Sequence, residues 1–379
     1  MIYFDRAIFN SVLNKLNSNK VILLLGARRI GKTTLIKQII EKCNEPYLLL
    51  NGEDIETIDA LKKHSVENYK RLLGKNKFLI IDEAQKIPEI GNALKLMIDE
   101  INGIKILVTG SSMFDLNNKL GEPLTGRKIT FHLFPLAQME ISQTENLIQT
   151  KARLEDRLVF GSYPELFQYE SKEEKTQYLK ELVNSYLLKD ILAFENIRNS
   201  NKLLDLLRLL AFQMGKEVSM DELGRQLSIG KNTVERYLDL LSKVFVIYRL
   251  QGFSRNLRNE ISKSSKWYFY DNGIRNTLIA NHNAIALRND VGELWENYLL
   301  AERIKFQHYS GMLVNNYFWR TYQQQEIDFI EERAGNLYAY EAKWSVTKKV
   351  KEPKTWKEAY PNSQFEVISP ENYHAWIGA

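Results

Sequence analysis

One cysteine, Cys43, stands in 379 residues, so no disulfide closes within the chain and a reducing cytoplasm is the expected location. Long apolar runs are missing too. The stretches VILLL and FLII are far too short to span a bilayer, so no membrane partner is expected. The opening MIYFDRAIFN sets Asp5 and Arg6 inside its apolar residues, which is not the pattern of a secretory signal. Charge of one sign is scarce as well. Lysine and arginine outnumber acidic residues by only 52 to 47, so any nucleic-acid surface has to be a local patch. A 44% hydrophobic and 26% charged composition excludes a disordered chain. The length exceeds one compact core of common size and predicts two or three domains.

What is present is concentrated first in VILLLGARRIGKTTLIKQII. A buried strand, Val21 to Leu25, runs into Gly26, Ala27, Arg28, Arg29, Ile30, Gly31, Lys32, Thr33 and Thr34, which complete a GxxxxGK[ST] pattern. Glycines let the backbone aim successive N–H groups at phosphate oxygens, and the helix that follows adds its positive end. Lys32 is expected to neutralise the β and γ phosphates of ATP, and the Thr33 hydroxyl to hold Mg2+. Arg28 and Arg29 point either at phosphate or at solvent.

A second apolar strand, in KFLIIDEAQ, ends in Asp82 and Glu83. Asp82 is expected to bind Mg2+ through water and Glu83 to polarise the attacking water, so the pair implies hydrolysis; taken alone, the two residues would only cap the next segment. YLLL (47–50), KILVTGSS (105–112) and ITFHLF (129–134) supply three more strands of a doubly wound α/β domain with a parallel sheet. Ser111 and Ser112 follow a strand end, where a polar side chain senses the γ phosphate. Arg127 supplies positive charge to the transition state, in cis or in a neighbouring subunit of a homo-oligomer; otherwise it is an exposed arginine ahead of a strand.

GARRIGKTT, LIIDEAQKIPE, VTGSSMFDL and LTGRKITFHLFPLAQME resemble the AAA-type predicted ATPases of bacteria and archaea, whose C-terminal domain is described as of unknown function. GSYPELF, YLLKDIL, LWENYLLAERI, WRTYQQQEIDFI and YEAKWS extend the resemblance over nearly the whole chain. It implies a nucleotide-hydrolysing module joined to a winged helix and to a fold similar to restriction endonucleases.

Residues 145–215 turn helical, and Leu203, Leu206, Leu207 and Leu210 form an amphipathic stripe that reads as core. The next stretch has helix-turn-helix spacing. Ser219 or Asp221 caps a helix to Leu227, Gly230 makes the turn, and a second helix from Lys231 buries Val234, Tyr237, Leu238 and Leu241. FVIYRL and KWYFYD suit a wing. Arg249, Arg255, Arg258, Lys263 and Lys266, opposed by Glu260, would track the backbone of double-stranded DNA, while Lys231, Asn232, Thr233 and Arg236 enter a groove. Glu235 and Asp239 on that helix favour protein contact instead.

Near the C-terminus, EIDFIEER and LYAYEAKW flank a turn at Ala334, Gly335 and Asn336. A two-residue loop of Ala334–Gly335 sets Asp328 opposite Glu341; one of Gly335–Asn336 sets it opposite Lys343. Either register puts Asp328, Glu341 and Lys343 on one face, with Glu326 as a substitute ligand. With Glu296 on the upstream helix GELWENYLLAERIKF, the set looks like the PD-(D/E)xK nucleases. That likeness implies a second Mg2+ or a Mn2+ held by Glu296, Asp328 and Glu341, with Lys343 catalytic. KEPKTWKEAYPNSQFEVISPENYHAWIGA reads as a closing helix–strand pair with Trp356 and Tyr360 in the core. The expected parts are a P-loop NTPase domain at 1–144, a helical connector at 145–215, a winged helix-turn-helix at 216–280 and a small α/β restriction-endonuclease-like domain at 281–379.

Overall fold

A computed structural model describes residues 4–111, 124–187, 200–254, 265–346 and 350–379. Ser112, Arg255, Arg258, Glu260 and Lys263 lie outside the described residues. The chain divides into two compact units. One holds residues 5–135 with 243–245; the other holds 1–4, 136–242 and 246–379.

The first unit alternates strand and helix: α1 (Phe9–Lys15), β1 (Val21–Leu25), α2 (Lys32–Cys43), β2 (Tyr47–Asn51), α3 (Ile55–Lys62), α4 (Val66–Leu73), β3 (Phe78–Asp82), α5 (Ile90–Glu100), β4 (Lys105–Gly110) and β5 (Lys128–His132). All pairings are parallel, in the order β2-β3-β4-β1-β5. β1 and the body of β3 are unbroken apolar runs because helices bury them on both faces, and none of Val21 to Leu25 exceeds 1% exposure. β2 lies at the edge, where Tyr47 and Leu49 are exposed. A parallel sheet collects every strand's C-terminal end on one side, so Leu25, Asp82 and Gly110 finish near one another.

The second unit carries helices Leu147–Phe160, Lys172–Glu181 and Ser200–Phe212, and the leucine stripe of the last is buried as its spacing predicts. Ser219 caps helix Met220–Leu227 by accepting from the Glu222 N–H, and helix Lys231–Lys243 follows, burying Val234, Tyr237, Leu238 and Leu241. A seven-stranded sheet then gathers β6 (Glu217–Val218), β7 (Ile247–Gly252), β8 (Ser265–Phe269), β9 (Asn315–Arg320), β10 (Glu326–Arg333), β11 (Asn336–Ala342) and β12 (Gln364–Ile368) in the order β12-β11-β10-β9-β7-β8-β6.

The ranges 216–280 and 281–379, expected as separate modules, share this sheet. β7 pairs parallel with β9 through Gln251–Tyr317 and Gly252–Phe318. A two-stranded wing leaves one edge of β7 unpaired, and β9 covers it. Phe253, just past β7, packs in one cluster with Trp319, Ile327, Ile330, Leu337, Ala339 and Trp356, and Tyr360 lies against it. Helix Val291–Tyr309 contributes buried Leu294, Trp295, Tyr298 and Leu299. Among the described residues no helix is long and apolar enough to cross a membrane.

Candidate functional site

At the end of β1 the chain folds back on itself at Gly26. A Cβ there would lie 2.2 Å from the Leu133 carbonyl oxygen, so no larger residue fits. Arg29 and Gly31 adopt φ of 63° and 95°, which curls the loop so that its N–H groups gather ahead of α2. The unpaired amides and positive dipole end of α2 face the same space, an anion site by construction. Ala27, Ile30 and Lys32 are buried; Arg29, Thr33 and Thr34 are exposed. Lys32 Nζ donates to the Gly26 and Ala27 carbonyls at 2.8 and 2.9 Å, so its ammonium is stored on the loop it serves. Arg28 is turned toward Glu53, 4.0 Å away.

Asp82 and Glu83 meet this loop from β3. Thr33 Oγ1 donates to Asp82 Oδ2 at 3.1 Å, so two hard oxygen donors stand side by side. That pair fits Mg2+, which prefers few protein oxygens and keeps its waters. The Thr109 hydroxyl also donates to Asp82, fixing the carboxylate from β4. Glu83 adopts φ 52° and ψ 40°, left-handed backbone that is uncommon for a residue with a Cβ, and its N–H is held at 3.1 Å by Thr109 Oγ1. The Gln85 amide donates both to Glu83 and, at 2.9 Å, to Ser111 Oγ, joining the two expected site residues.

Arg127 is not among them. Its carbonyl accepts from the Val21 N–H, and Lys128 lies abreast of Val21, at the N-terminal end of the strands. Five residues of β1 separate it from the phosphate loop, about 16 Å at a strand's rise. Its Nε donates instead to Asp99 at 2.7 Å. A role in cis is therefore excluded by position; the N-terminal end of a parallel sheet faces away from its ligand side.

The carboxylates expected near the C-terminus do converge. Ala334 and Gly335 have φ of 48° and 76°, the left-handed pair of a two-residue turn, which selects the register Phe329–Tyr340 and sets Asp328 abreast of Glu341. On its other side β10 shifts register against β9 between Ile327 and Ile330, a bulge at Asp328. The Ala342 N–H donates to Asp328 at 2.9 Å, and Lys343 Nζ donates to Glu341 at 2.6 Å. Glu296, from helix Val291–Tyr309, accepts from the Tyr268 hydroxyl. Burial, and then the negative charge of Asp328, push Glu296 up to about 8. Asp328 and Glu341 are raised too, each by burial first.

Lys266 was expected on a DNA-tracking wing and is found elsewhere. It is 2% exposed, pairs with Glu326, and lies 3.8 Å from Glu296. β8 is interior to the sheet and buried along its length, so alternate residues face the carboxylates rather than solvent. Lys266 remains charged because Glu296, Glu326 and Asp328 outweigh the burial that opposes its charge. Glu326, the expected substitute ligand, is engaged by Lys266 and, at 3.7 Å, by Arg320. Among the described residues no group of three acidic, histidine or cysteine side chains is arranged to hold a metal ion. The donor set, with an ammonium beside Glu296 and Glu326, does not fit a bound Mg2+ or Mn2+ in this arrangement.

Three further residues of the first site escaped the pattern. Gln85 and Thr109 lie inside motifs already singled out, one or two positions from the residues named. Arg6 carried no signal. It is buried and donates to the Ile30 carbonyl at 2.6 Å and to the Phe134 carbonyl at 2.7 Å, tying the phosphate loop to the segment after β5.

Residues 18–142, most of them in the first unit, match the family described as AAA domain. Residues 151–284 and 291–374 match two families described as domains of unknown function, DUF8612 and DUF4143. The chain is 27% identical over 333 residues to the uncharacterized protein Rv2008c of Mycobacterium tuberculosis, covering 86% of this chain and 71% of that one. It is 25% identical over 378 residues to the uncharacterized protein MJ1544 of Methanocaldococcus jannaschii, covering 94% and 82%. Among solved structures, the RuvB Holliday junction branch migration motor of Thermotoga maritima aligns with 65% of this chain and 90% of its own, at 16% identity and a TM-score of 0.33, a likeness on which nothing further rests.

Proposed function

We propose that the chain binds ATP with Mg2+ at the phosphate loop, hydrolyses it, and uses the cycle to control binding by the second unit. The observation that carries this reading is the junction of Thr33, Asp82 and Glu83 at the mouth of the loop, with Gln85 and Ser111 behind it. Thr33 and, through water, Asp82 would hold Mg2+, which would supply positive charge to the β and γ phosphates. Lys32 exchanges its two carbonyl acceptors for phosphate oxygens. Glu83 accepts a proton from the attacking water. Gln85 donates to Glu83 and Ser111 together, so the base and the serine beyond β4 share one donor.

The test is ATP binding and turnover by wild type, Lys32→Ala and Glu83→Gln. Glu83→Gln should bind nucleotide as wild type does while kcat falls by roughly a hundredfold or more, and Lys32→Ala should lose binding. Turnover unchanged in Glu83→Gln would end the assignment.

For the second unit, a switch that binds without cleaving is favoured over a Mg2+- or Mn2+-dependent nuclease. The favouring observation is that Lys266 is already paired with Glu326 and Lys343 with Glu341. Double-stranded DNA as a partner rests on exposed Lys231, Asn232 and Arg236 at the start of their helix. Wild-type protein that nicks plasmid DNA with added Mn2+, with the activity lost in Glu341→Ala, would restore the nuclease reading.

A further inference from the structure

Arg6 lies outside every motif of the ATP site, yet its guanidinium is built into the phosphate loop. It is 6% exposed, and a cation withdrawn this far from water needs acceptors. It finds them on two separate segments of the first unit: Nη1 donates to the Ile30 carbonyl and Nη2 to the Phe134 carbonyl. The Phe134 end is anchored to the sheet, because the preceding residue, Leu133, donates its N–H to the Leu25 carbonyl at 2.7 Å. A planar guanidinium with one prong fixed in this way holds the other in place.

The Ile30 carbonyl is one end of the peptide unit that also carries the Gly31 N–H. A trans peptide sends the two to opposite sides, so fastening the carbonyl to Arg6 turns the Gly31 N–H away from the guanidinium. Glycine itself does not select that orientation. Gly31 has φ 95° and ψ 23°, and turning the peptide over would take φ to about −85°, which glycine adopts as readily. The overturned unit would aim a carbonyl oxygen, in place of an N–H, at a bound anion. Arg6 Nη1 stands 3.5 Å from where a Cβ on Gly31 would lie, close enough to decide between the two.

We propose that Arg6 is a positioning residue of the ATP site: by holding the Ile30 carbonyl it keeps the Gly31 N–H turned toward the phosphates, so the loop is shaped before nucleotide arrives. The inference rests on the ATP reading above and adds to it a residue that acts through the loop rather than on the nucleotide. The positive charge of Arg6 also favours a nearby anion. Charge alone, however, does not set the direction of a peptide unit, and that separates the two effects.

Full chain labelled with carbon-13 at isoleucine carbonyls and nitrogen-15 at glycine isolates four Ile–Gly amides in a magnetic resonance spectrum, those of Gly31, Gly91, Gly230 and Gly378. Adding ATP and Mg2+ to wild type should move the Gly31 proton downfield, as expected of an amide that donates to a charged oxygen. In Arg6→Gln that movement should be much smaller, and the Kd for ATP measured by calorimetry should rise roughly tenfold. Arg6→Lys keeps the charge but not the fork, so it should bind ATP more weakly than wild type and more tightly than Arg6→Gln. A Gly31 proton that stays still in wild type while calorimetry shows binding would overturn the proposal, and that result is read without any variant having to fold. Equal movement in wild type and both variants, or wild-type affinity in Arg6→Lys, would overturn it as well. A wild type that takes up no ATP at all would instead end the ATP reading, and this inference with it.

Discussion

Glu296 shows what a single buried carboxyl does to the whole chain. In the unfolded state its value is ordinary, near 4.5; in the fold it rises to about 8. Between those values the folded chain keeps a proton that the unfolded chain has released. The stability this proton contributes therefore falls as pH rises through this window, and that contribution alone is gone above the folded value. Asp328 and Glu341 are raised as well and act in the same direction. Glu296→Gln should flatten the dependence, reducing the stability difference between about pH 5 and pH 8 by on the order of 2 to 4 kcal/mol. Denaturant unfolding at the two pH values measures it, and equal slopes in variant and wild type would refute the assignment. At this scale the sequence was legible where chemistry is local. Lys32, Thr33, Asp82 and Glu83 announce themselves because each motif is contiguous. Arg6 and Lys266 do not, because their partners lie 24 to 128 and 30 to 60 positions away.

Among elements, strand positions were readable and strand neighbours were not. The alternation of EIDFIEER and LYAYEAKW gave a shared face, and two left-handed residues, Ala334 and Gly335, fixed which register it took. Nothing in either stretch announces the bulge at Asp328, which belongs to the pairing with β9. The burial of β8 was equally hidden, since a lysine within KWYFYD reads as solvent-facing until the strand acquires neighbours on both sides. Lys266 standing against Glu326 and near Glu296 leads to a prediction at this scale. Lys266→Gln keeps a donor for Glu326 and removes the positive charge, so Mn2+ should raise its melting temperature by a few degrees while leaving wild type unmoved. An identical metal response in the two proteins would show that the ammonium is no barrier.

At the scale of the molecule, length predicted two or three domains and the chain divides into two compact units, while the partition into connector, winged helix and endonuclease-like parts did not foresee one sheet. Propensity and periodicity find elements; they carry no information on which edges meet. A shared sheet should lose its order together. Hydrogen exchange under mild denaturant should give β6, β7 and β8 the same opening free energy as β9, β10 and β11, within about 1 kcal/mol. Separate opening of the first three strands would mean that the β7–β9 pairing is too weak to unite them.

Lys266 and Trp267 are consecutive residues whose side chains leave β8 in opposite directions. A substitution that repacks Trp267 therefore also disturbs the backbone that places the Lys266 ammonium beside Glu326 and Glu296.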